Sequence, residues 1–319
     1  MRFLFLFVSA ACLYAQSTLM IAHKWADSVG YYDAKTGKSL TTVPVGVRPH
    51  EMVFSQDRKL VYVTNYGLNS WTQTEPGGNT ISIIDVAARR VVGTIDLGEN
   101  HRPHGIELGR SGKLYITADQ PPSVLVVDPV KKAVLKRVDV GAKAPHMLAV
   151  TKDEKLAYVA NAGSGSVSMV HLDGTGAPVV IETGGVPMGI ELTHDGQLCY
   201  LSARDSNQIV VIDTKSNKVD HRIEVKGQPA RLRLIRNDTM LITSLIGSGE
   251  MAIVDLAARK EVQRIKTGTA SEGLYVTPSG QYMYISAQGD NKVLKIDMKS
   301  WKTVLEIPTA QRPDPILEF

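Results

Sequence analysis

The chain has 319 residues, 43% of them hydrophobic, with 36 Lys and Arg against 32 Asp and Glu and a formal net charge of +4. This composition allows a large apolar core. The charge is nearly balanced, and no basic run or basic stretch interleaved with aromatic residues is present, which excludes a nucleic-acid-binding surface.

The first residues have the pattern of a secretory signal peptide. Arg2 precedes an apolar run over residues 3–15 that is too short to span a bilayer, and no later run is long enough to do so. We expect cleavage after Ala15, a mature domain of residues 16–319, and a periplasmic or extracellular location. Cys12 lacks the aliphatic residue three positions earlier that a lipoprotein signal needs, which disfavours a lipid anchor. Cleavage leaves only Cys199, which we interpret as a small buried hydrophobe.

A fixed repeat organises the remaining chain. Its marker is a proline, replaced once by serine, at Pro49, Pro103, Pro145, Pro187, Pro229, Ser271 and Pro313. From Pro103 onward the markers are 42 residues apart, whereas the first interval is 54 residues and therefore carries a 12-residue insertion. A constant period of this length indicates an array of identical supersecondary units.

Each repeat has the pattern of four short strands. In the third repeat these are residues 145–151, 156–161, 167–172 and 179–183, with the polar turn 152–155 between the first two. Turn residues of this kind recur at the same place in the other repeats and are typical of tight hairpins. Four strands at this period predict an all-β, seven-bladed β-propeller, a ring in which no long strand edge is left open.

The two ends of the chain predict how the ring closes. Residues 20–23, 29–33 and 40–45 supply three strands before the first marker, and residues 313–319 supply a lone first strand after the last marker. Together they make one complete blade, so the C-terminal strand should hold the N-terminal strands in place.

The second strands of two repeats end in Tyr62-Val63-Thr64-Asn65 and Tyr158-Val159-Ala160-Asn161. These endings resemble the YVTN family of exported bacterial β-propellers, and the resemblance covers essentially the whole mature chain. The resemblance implies the propeller fold and export, since such relatives occur in surface layers and in the periplasm. It implies no particular reaction, because one fold hosts many activities. The Gly-His and Trp-Asp pairs of WD40 repeats are missing here.

The residue after each marker should lie at one mouth of the central channel, because the first strand of each blade lines that channel. In order these residues are His50, His104, His146, Met188, Ala230, Glu272 and Asp314. The polar ones are contiguous over five blades of the closed ring, a segregation that a purely structural repeat does not need.

Three converging imidazoles are a donor set for a divalent transition metal, with zinc the first choice. The Pro-His-aliphatic strand starts resemble those of the peptidyl-hydroxyglycine amidating lyase propeller and of the streptogramin lyases, which implies metal ligands at His50, His104 and His146. In the amidating lyase the ligating blades are spaced around the ring, whereas here they are neighbours. The alternative is that each histidine hydrogen-bonds a loop carbonyl. Strand alternation supports this alternative, since Met52, two residues after His50, has the pattern of a core residue.

Other polar residues are predicted at the same mouth. Glu272 and Asp314 are candidates for a fourth ligand or a general base. Arg48, Arg102 and Arg312, each just before a marker proline, suit a small anion because a guanidinium binds planar anions in a bidentate way. The insertion near residues 66–79 brings Trp71 to this face as a lid or an aromatic wall. For all of these, solvated surface side chains are the alternative.

The sequence leaves two functions open. The first is a monomeric, exported binding protein for a metal, a small anionic ligand or an envelope protein. The second is a metal-dependent lyase or hydrolase, for example a lactonase, acting on a small anionic substrate. A dedicated general base would separate them, and neither carboxylate of the ring is a compelling one.

Overall fold

The computed structural model describes residues 17–319, so the predicted signal peptide and Cys12 lie outside the described residues. Strands β1–β28 of this part form seven antiparallel four-stranded sheets. The first fourteen strands are β1 Thr18–His23, β2 Ser28–Asp33, β3 Ser39–Pro44, β4 Pro49–Phe54, β5 Leu60–Asn65, β6 Thr80–Asp85, β7 Arg90–Asp96, β8 His101–Leu108, β9 Leu114–Gln120, β10 Pro122–Asp128, β11 Ala133–Asp139, β12 Pro145–Val150, β13 Leu156–Asn161 and β14 Ser166–His171.

The second half of the chain continues the same order of elements. These strands are β15 Val179–Glu182, β16 Pro187–Leu192, β17 Leu198–Ala203, β18 Gln208–Asp213, β19 Lys218–Glu224, β20 Pro229–Ile235, β21 Met240–Leu245, β22 Glu250–Asp255, β23 Lys260–Lys266, β24 Ser271–Val276, β25 Tyr282–Ala287, β26 Lys292–Asp297, β27 Lys302–Pro308 and β28 Pro313–Glu318. Two single-turn 3₁₀ helices, Arg204–Ser206 and Gln288–Asp290, follow β17 and β25. Within residues 17–319, no helix is long and apolar enough to cross a membrane.

The seven sheets are the blades of a closed propeller. Blade 1 is β4–β7, blades 2 to 6 follow in chain order, and the closing blade pairs β28 with β1, β2 and β3. The innermost strands contact one another in sequence around the axis, and β28 contacts β4 to complete the circle. The predicted seven blades and the closure by both chain ends are confirmed.

The apolar core consists of seven clusters, each lying between two neighbouring blades. The middle strands are buried on both faces, which explains why segments such as Leu156–Asn161 read as nearly continuous apolar runs. Cys199 belongs to one of these clusters and is fully buried, and burial raises the pKa of its thiol, as expected for a structural cysteine.

Candidate functional site at the channel mouth

A β-bulge begins the innermost strand of every blade. In blade 1, Pro49 pairs with Asn65 and Met52 pairs with Val63, so that His50 and Glu51 together lie opposite Thr64. The same shift follows each of the other six repeat markers. A bulge adds one residue to one strand and resets the alternation of side chains. His50 therefore reaches the channel mouth although Met52 is buried in the core, which removes the objection from strand alternation.

Hydroxyl groups satisfy the backbone at several of these bulges and tie some neighbouring blades together. Thr117 Oγ1 accepts a hydrogen bond from Gly105 N at 2.8 Å and donates one to His146 O of the following blade at 2.7 Å. Thr64 Oγ1 likewise accepts from Glu51 N at 2.9 Å and donates to His104 O at 3.0 Å. The carbonyl groups of two of the three ring histidines are thus held by buried hydroxyls.

The second bulge residue decides which blades place an extra side chain in the channel. At Gly105, a Cβ atom would come within 2.8 Å of His146 O in the next blade, so glycine is needed for this close approach. Glycine also occupies this position in blades 4 and 6. Glu51 and Arg231, the second bulge residues of blades 1 and 5, reach each other across the axis and form an ion pair.

The three predicted histidines form a buried stack. Ring centroids lie 3.7 Å apart for His50 and His104 and 3.8 Å apart for His104 and His146, whereas His50 and His146 are separated by 6.4 Å. Tyr66 packs edge-on against both His50 and His104, with each centroid at 5.4 Å. All three histidines are less than 10% exposed.

Burial keeps the stack neutral. It holds the pKa of each imidazole well below the ordinary value, and the nearby charge of Arg231 acts in the same direction on all three. A neutral imidazole offers a lone pair without first losing a proton, so the electrostatics of the stack suit a metal ligand or a hydrogen-bond acceptor.

The tightest donor set contains Glu51 and two of the histidines. One ring nitrogen each of His50 and His104 and one carboxylate oxygen of Glu51 lie within 4.8 Å of one another. The Nδ1 atoms of His50 and His104 are buried and have no hydrogen-bond partner among the described residues. By contrast, Nδ1 of His146 lies 3.2 Å from the carbonyl oxygen of Met188, the hydrogen bond to a carbonyl that the structural alternative predicts.

The buried imidazoles of His50 and His104, each with an Nδ1 atom that has no hydrogen-bond partner among the described residues, and the carboxylate of Glu51 are donor types that a divalent transition metal uses. Imidazole and carboxylate are ligands of zinc in three-ligand sites that keep one position open. Burying such nitrogens unpaired costs free energy, which an ion or an ordered water would recover. His50, Glu51 and His104 are the residues that could hold an ion here.

A network of buried charges surrounds this donor set. Arg231 contacts the carboxylates of Glu51 and, at 3.9 Å, Asp314. Asp314 Oδ2 also accepts a hydrogen bond from Lys24 Nζ at 3.0 Å. Gln288 Nε2 donates to Glu272 Oε2 at 2.6 Å. Burial raises the pKa values of Glu51 and Glu272. Each of the two predicted ring carboxylates therefore has a partner, but only Glu272 lines the cavity at the mouth, whereas Asp314 is fully buried below it.

An upper cavity of about 200 Å³ opens above the histidines and contains several predicted residues. Trp71 of the insertion and Arg312 line it, together with Lys24, Trp25 and Arg204. The guanidinium of Arg312 stacks on the ring of Trp25, with 4.5 Å between its Cζ atom and the ring centroid. The cavity therefore joins a cationic rim to an aromatic wall.

The other two predicted arginines have different surroundings. Arg48 forms an ion pair with Asp27 at 3.3 Å and donates to Asn69. Arg102 is buried, and its Nη2 atom donates to Glu75 O at 2.5 Å, which fastens the insertion to blade 2. Neither lines the upper cavity. The buried carboxylate of Asp119 lies below the insertion, accepts a hydrogen bond from Tyr66 and has a pKa raised to about 7 by burial.

Comparison with known proteins identifies the repeat. Residues 172–317 match the family model described as YNCE-like beta-propeller, in agreement with the seven blades. The described chain is thus a seven-bladed propeller, and its second half is similar to the YncE-like family. No curated protein matches its sequence at a significant level.

Solved structures share the fold of this propeller at low sequence identity. Hydrazine synthase of Kuenenia stuttgartiensis superposes with a TM-score of 0.77 and 19% identity over 88% of this chain and 92% of that chain. A periplasmic gluconolactonase of Pseudomonas aeruginosa has a TM-score of 0.74 and 16% identity over 95% and 99% of the two chains. A putative 6-phosphogluconolactonase of Bacteroides fragilis has a TM-score of 0.74 and 14% identity over 96% and 98%. At these identities the likeness establishes the fold alone.

Sequence reasoning missed four charged residues of the site, which are Glu51, Arg231, Lys24 and Arg204. Glu51 and Arg231 are the only charged residues two positions after a repeat marker, so the signal lies at the repeat position directly after that of the three histidines. Without knowledge of the bulge, strand alternation assigns this position to the opposite face of the blade. Lys24 could not be predicted, because its pairing with Asp314 requires the closed ring.

Proposed function

We propose that this propeller is a binding protein that holds one divalent transition-metal ion, with zinc favoured, at the mouth of its channel. His50, Glu51 and His104 are the proposed ligands. The observation that carries the proposal is that one ring nitrogen each of His50 and His104 and a carboxylate oxygen of Glu51 lie within 4.8 Å of one another. The buried Nδ1 atoms of both imidazoles, which have no hydrogen-bond partner among the described residues, support it. His146 stays a candidate ligand through a rearranged ring, as the sequence predicts.

A small anion is the proposed ligand for the open position of the ion. Lys24, Arg204 and Arg312 line the upper cavity. Because Lys24 is paired with Asp314 and Arg204 with Asp205, the guanidinium of Arg312 is the group that would attract an anion into the cavity. Trp25 and Trp71 would pack against the apolar part of that anion.

We also propose that the protein is monomeric and acts in the periplasm or outside the cell. The N-terminal pattern of residues 1–15 supports export. Cell fractionation of a producing strain, with N-terminal sequencing of the product, tests this: a cytoplasmic product that retains residue 1 would contradict it.

The metal proposal is tested by titrating tag-free, metal-depleted protein with Zn²⁺ in a calorimeter. We expect one ion per chain, and a loss of affinity of about 100-fold or more in His50→Ala and in His104→Ala, since even changes around a ligand shell cost about 10–100-fold. His171→Ala, at an exposed position, is the matched control. His146→Ala shows whether the third imidazole joins the ligands. Equal binding by the wild type and both ligand variants would refute the proposal.

A metal-dependent hydrolase is the second candidate. Its supporting observation is the buried carboxyl of Glu51, which in this candidate would transfer a proton instead of binding the ion, because a buried carboxyl whose pKa is raised suits proton transfer near neutral pH. A bound ion would supply Lewis-acid chemistry. The two neighbours named as lactonases suggest glucono-δ-lactone as the first substrate to assay. Turnover that is lost in Glu51→Gln would favour this candidate over pure binding.

A further inference from the structure

A second cavity lies in the channel on the opposite side of the Glu51–Arg231 pair. This lower cavity has a volume of about 440 Å³ and is lined by Glu51, Glu107, Arg231, Arg233 and Asp314 among other residues. Its size is in the range of small-molecule sites. Nothing in the metal proposal uses it.

Two buried polar atoms on residues that line the lower cavity have no partner among the described residues. They are Nη1 of Arg231, a hydrogen-bond donor, and Oδ1 of Asp314, an acceptor. Arg231 is 6% exposed and Asp314 is 0% exposed. A buried donor and a buried acceptor left unsatisfied are costly, and a ligand that carries both an anionic acceptor and a cationic donor would satisfy them together.

The charges around the cavity favour a ligand with no net charge. Three carboxylates, those of Glu51, Glu107 and Asp314, face two guanidinium groups, and Lys24 pairs with Asp314 from above. The acidic and basic groups are therefore equal in number, three of each. A simple carboxylate or a simple amine would upset the balance, whereas a zwitterion preserves it.

The remaining wall is apolar. Val53, Leu108, Met147 and Leu317 line the lower cavity below the charged groups. We propose that this cavity binds a zwitterionic α-amino acid with an aliphatic side chain, with its carboxylate on Arg231, its ammonium group on Asp314 and its side chain against this wall. The proposal does not depend on a metal at the histidines.

The test is calorimetric or saturation-transfer NMR titration of the purified protein with L-leucine. Two matched compounds each lack one charged group: 4-methylpentanoate has no ammonium and 3-methylbutylamine has no carboxylate. We expect leucine to bind and each analogue to bind about tenfold or more weakly, since one lost charge-assisted hydrogen bond is worth a factor of this order. Absence of leucine binding at about 10 mM, the weak limit of a specific small ligand, would overturn the proposal. Water would then be the partner of Nη1 of Arg231 and Oδ1 of Asp314.

Variants locate the binding. Arg231→Lys keeps the charge but removes Nη1, and should weaken leucine binding about tenfold. Because Arg231 holds buried carboxylates and its variant can unfold, Val53→Tyr supplies an independent test by filling the cavity. Tyrosine already occupies the equivalent repeat position at Tyr275, so the fold tolerates it. The exposed Val304→Tyr is the control. Leucine binding that survives Val53→Tyr, or equal binding of 4-methylpentanoate by the wild type, would overturn the proposal.

Discussion

The hydroxyl of Thr117 gives the sharpest prediction about how the bulges hold the site. Thr117→Val keeps the shape of the side chain but removes the one atom that serves Gly105 N and His146 O. Thr117 is 0% exposed, so water cannot replace the hydroxyl without a rearrangement. Each backbone group left unsatisfied costs about 1–3 kcal/mol, which predicts a loss of about 2–6 kcal/mol in the free energy of unfolding.

Urea or guanidinium denaturation followed by tryptophan fluorescence measures this loss. Thr303→Val, on the exposed outer strand β27, is the matched control and should change the free energy of unfolding by less than about 0.5 kcal/mol. If Thr117→Val is as stable as Thr303→Val, the hydroxyl bridge does not hold neighbouring blades together. The account of the bulges would then be wrong.

Three further predictions concern closure, pH and the insertion. Deleting residues 313–319 removes β28 and opens the ring, so the protein should melt well below the wild type; an unchanged melting temperature would contradict the closure. Asp119 has a pKa of about 7 in the fold, above its unfolded value, so its contribution to stability is present below about pH 4 and is lost as the pH rises through 7. Asp119→Asn should therefore be more stable than the wild type at pH 8 but not at pH 4, and parallel pH profiles of unfolding would refute this. Arg102→Met should speed hydrogen exchange of residues 66–79 while leaving blade 5 unchanged, because Arg102 donates to backbone carbonyls of the insertion; equal exchange would show that other contacts hold it.

The fold could be predicted from the sequence because the residues that mark the repeat are ones that the backbone conformation requires at those positions. The markers from Pro49 to Pro313 start the inner strand in six blades and lie two residues inside β8 in the seventh, and the single marker left over at Pro313 places the closing strand. Once the strands and turns of one repeat are assigned, those of the other repeats follow, since every blade packs against its neighbours in the same way.

The site could be predicted only in part. The stack of His50, His104 and His146 follows from their shared repeat position, and their convergence at one mouth is observed. Glu51 could not be placed, because the bulge that turns it into the channel depends on hydrogen bonds to Thr64 in the neighbouring strand. The surroundings of Arg102 could not be predicted either, since its partners belong to the fold of the insertion.

The most direct test of the central claim is a crystal structure of the protein grown with Zn²⁺, with anomalous scattering measured on both sides of the zinc absorption edge. The account predicts one anomalous peak between His50, Glu51 and His104, at about 2.0–2.2 Å from its ligand atoms. Clear density for three neutral imidazoles, with no anomalous peak among them at saturating Zn²⁺, would contradict it.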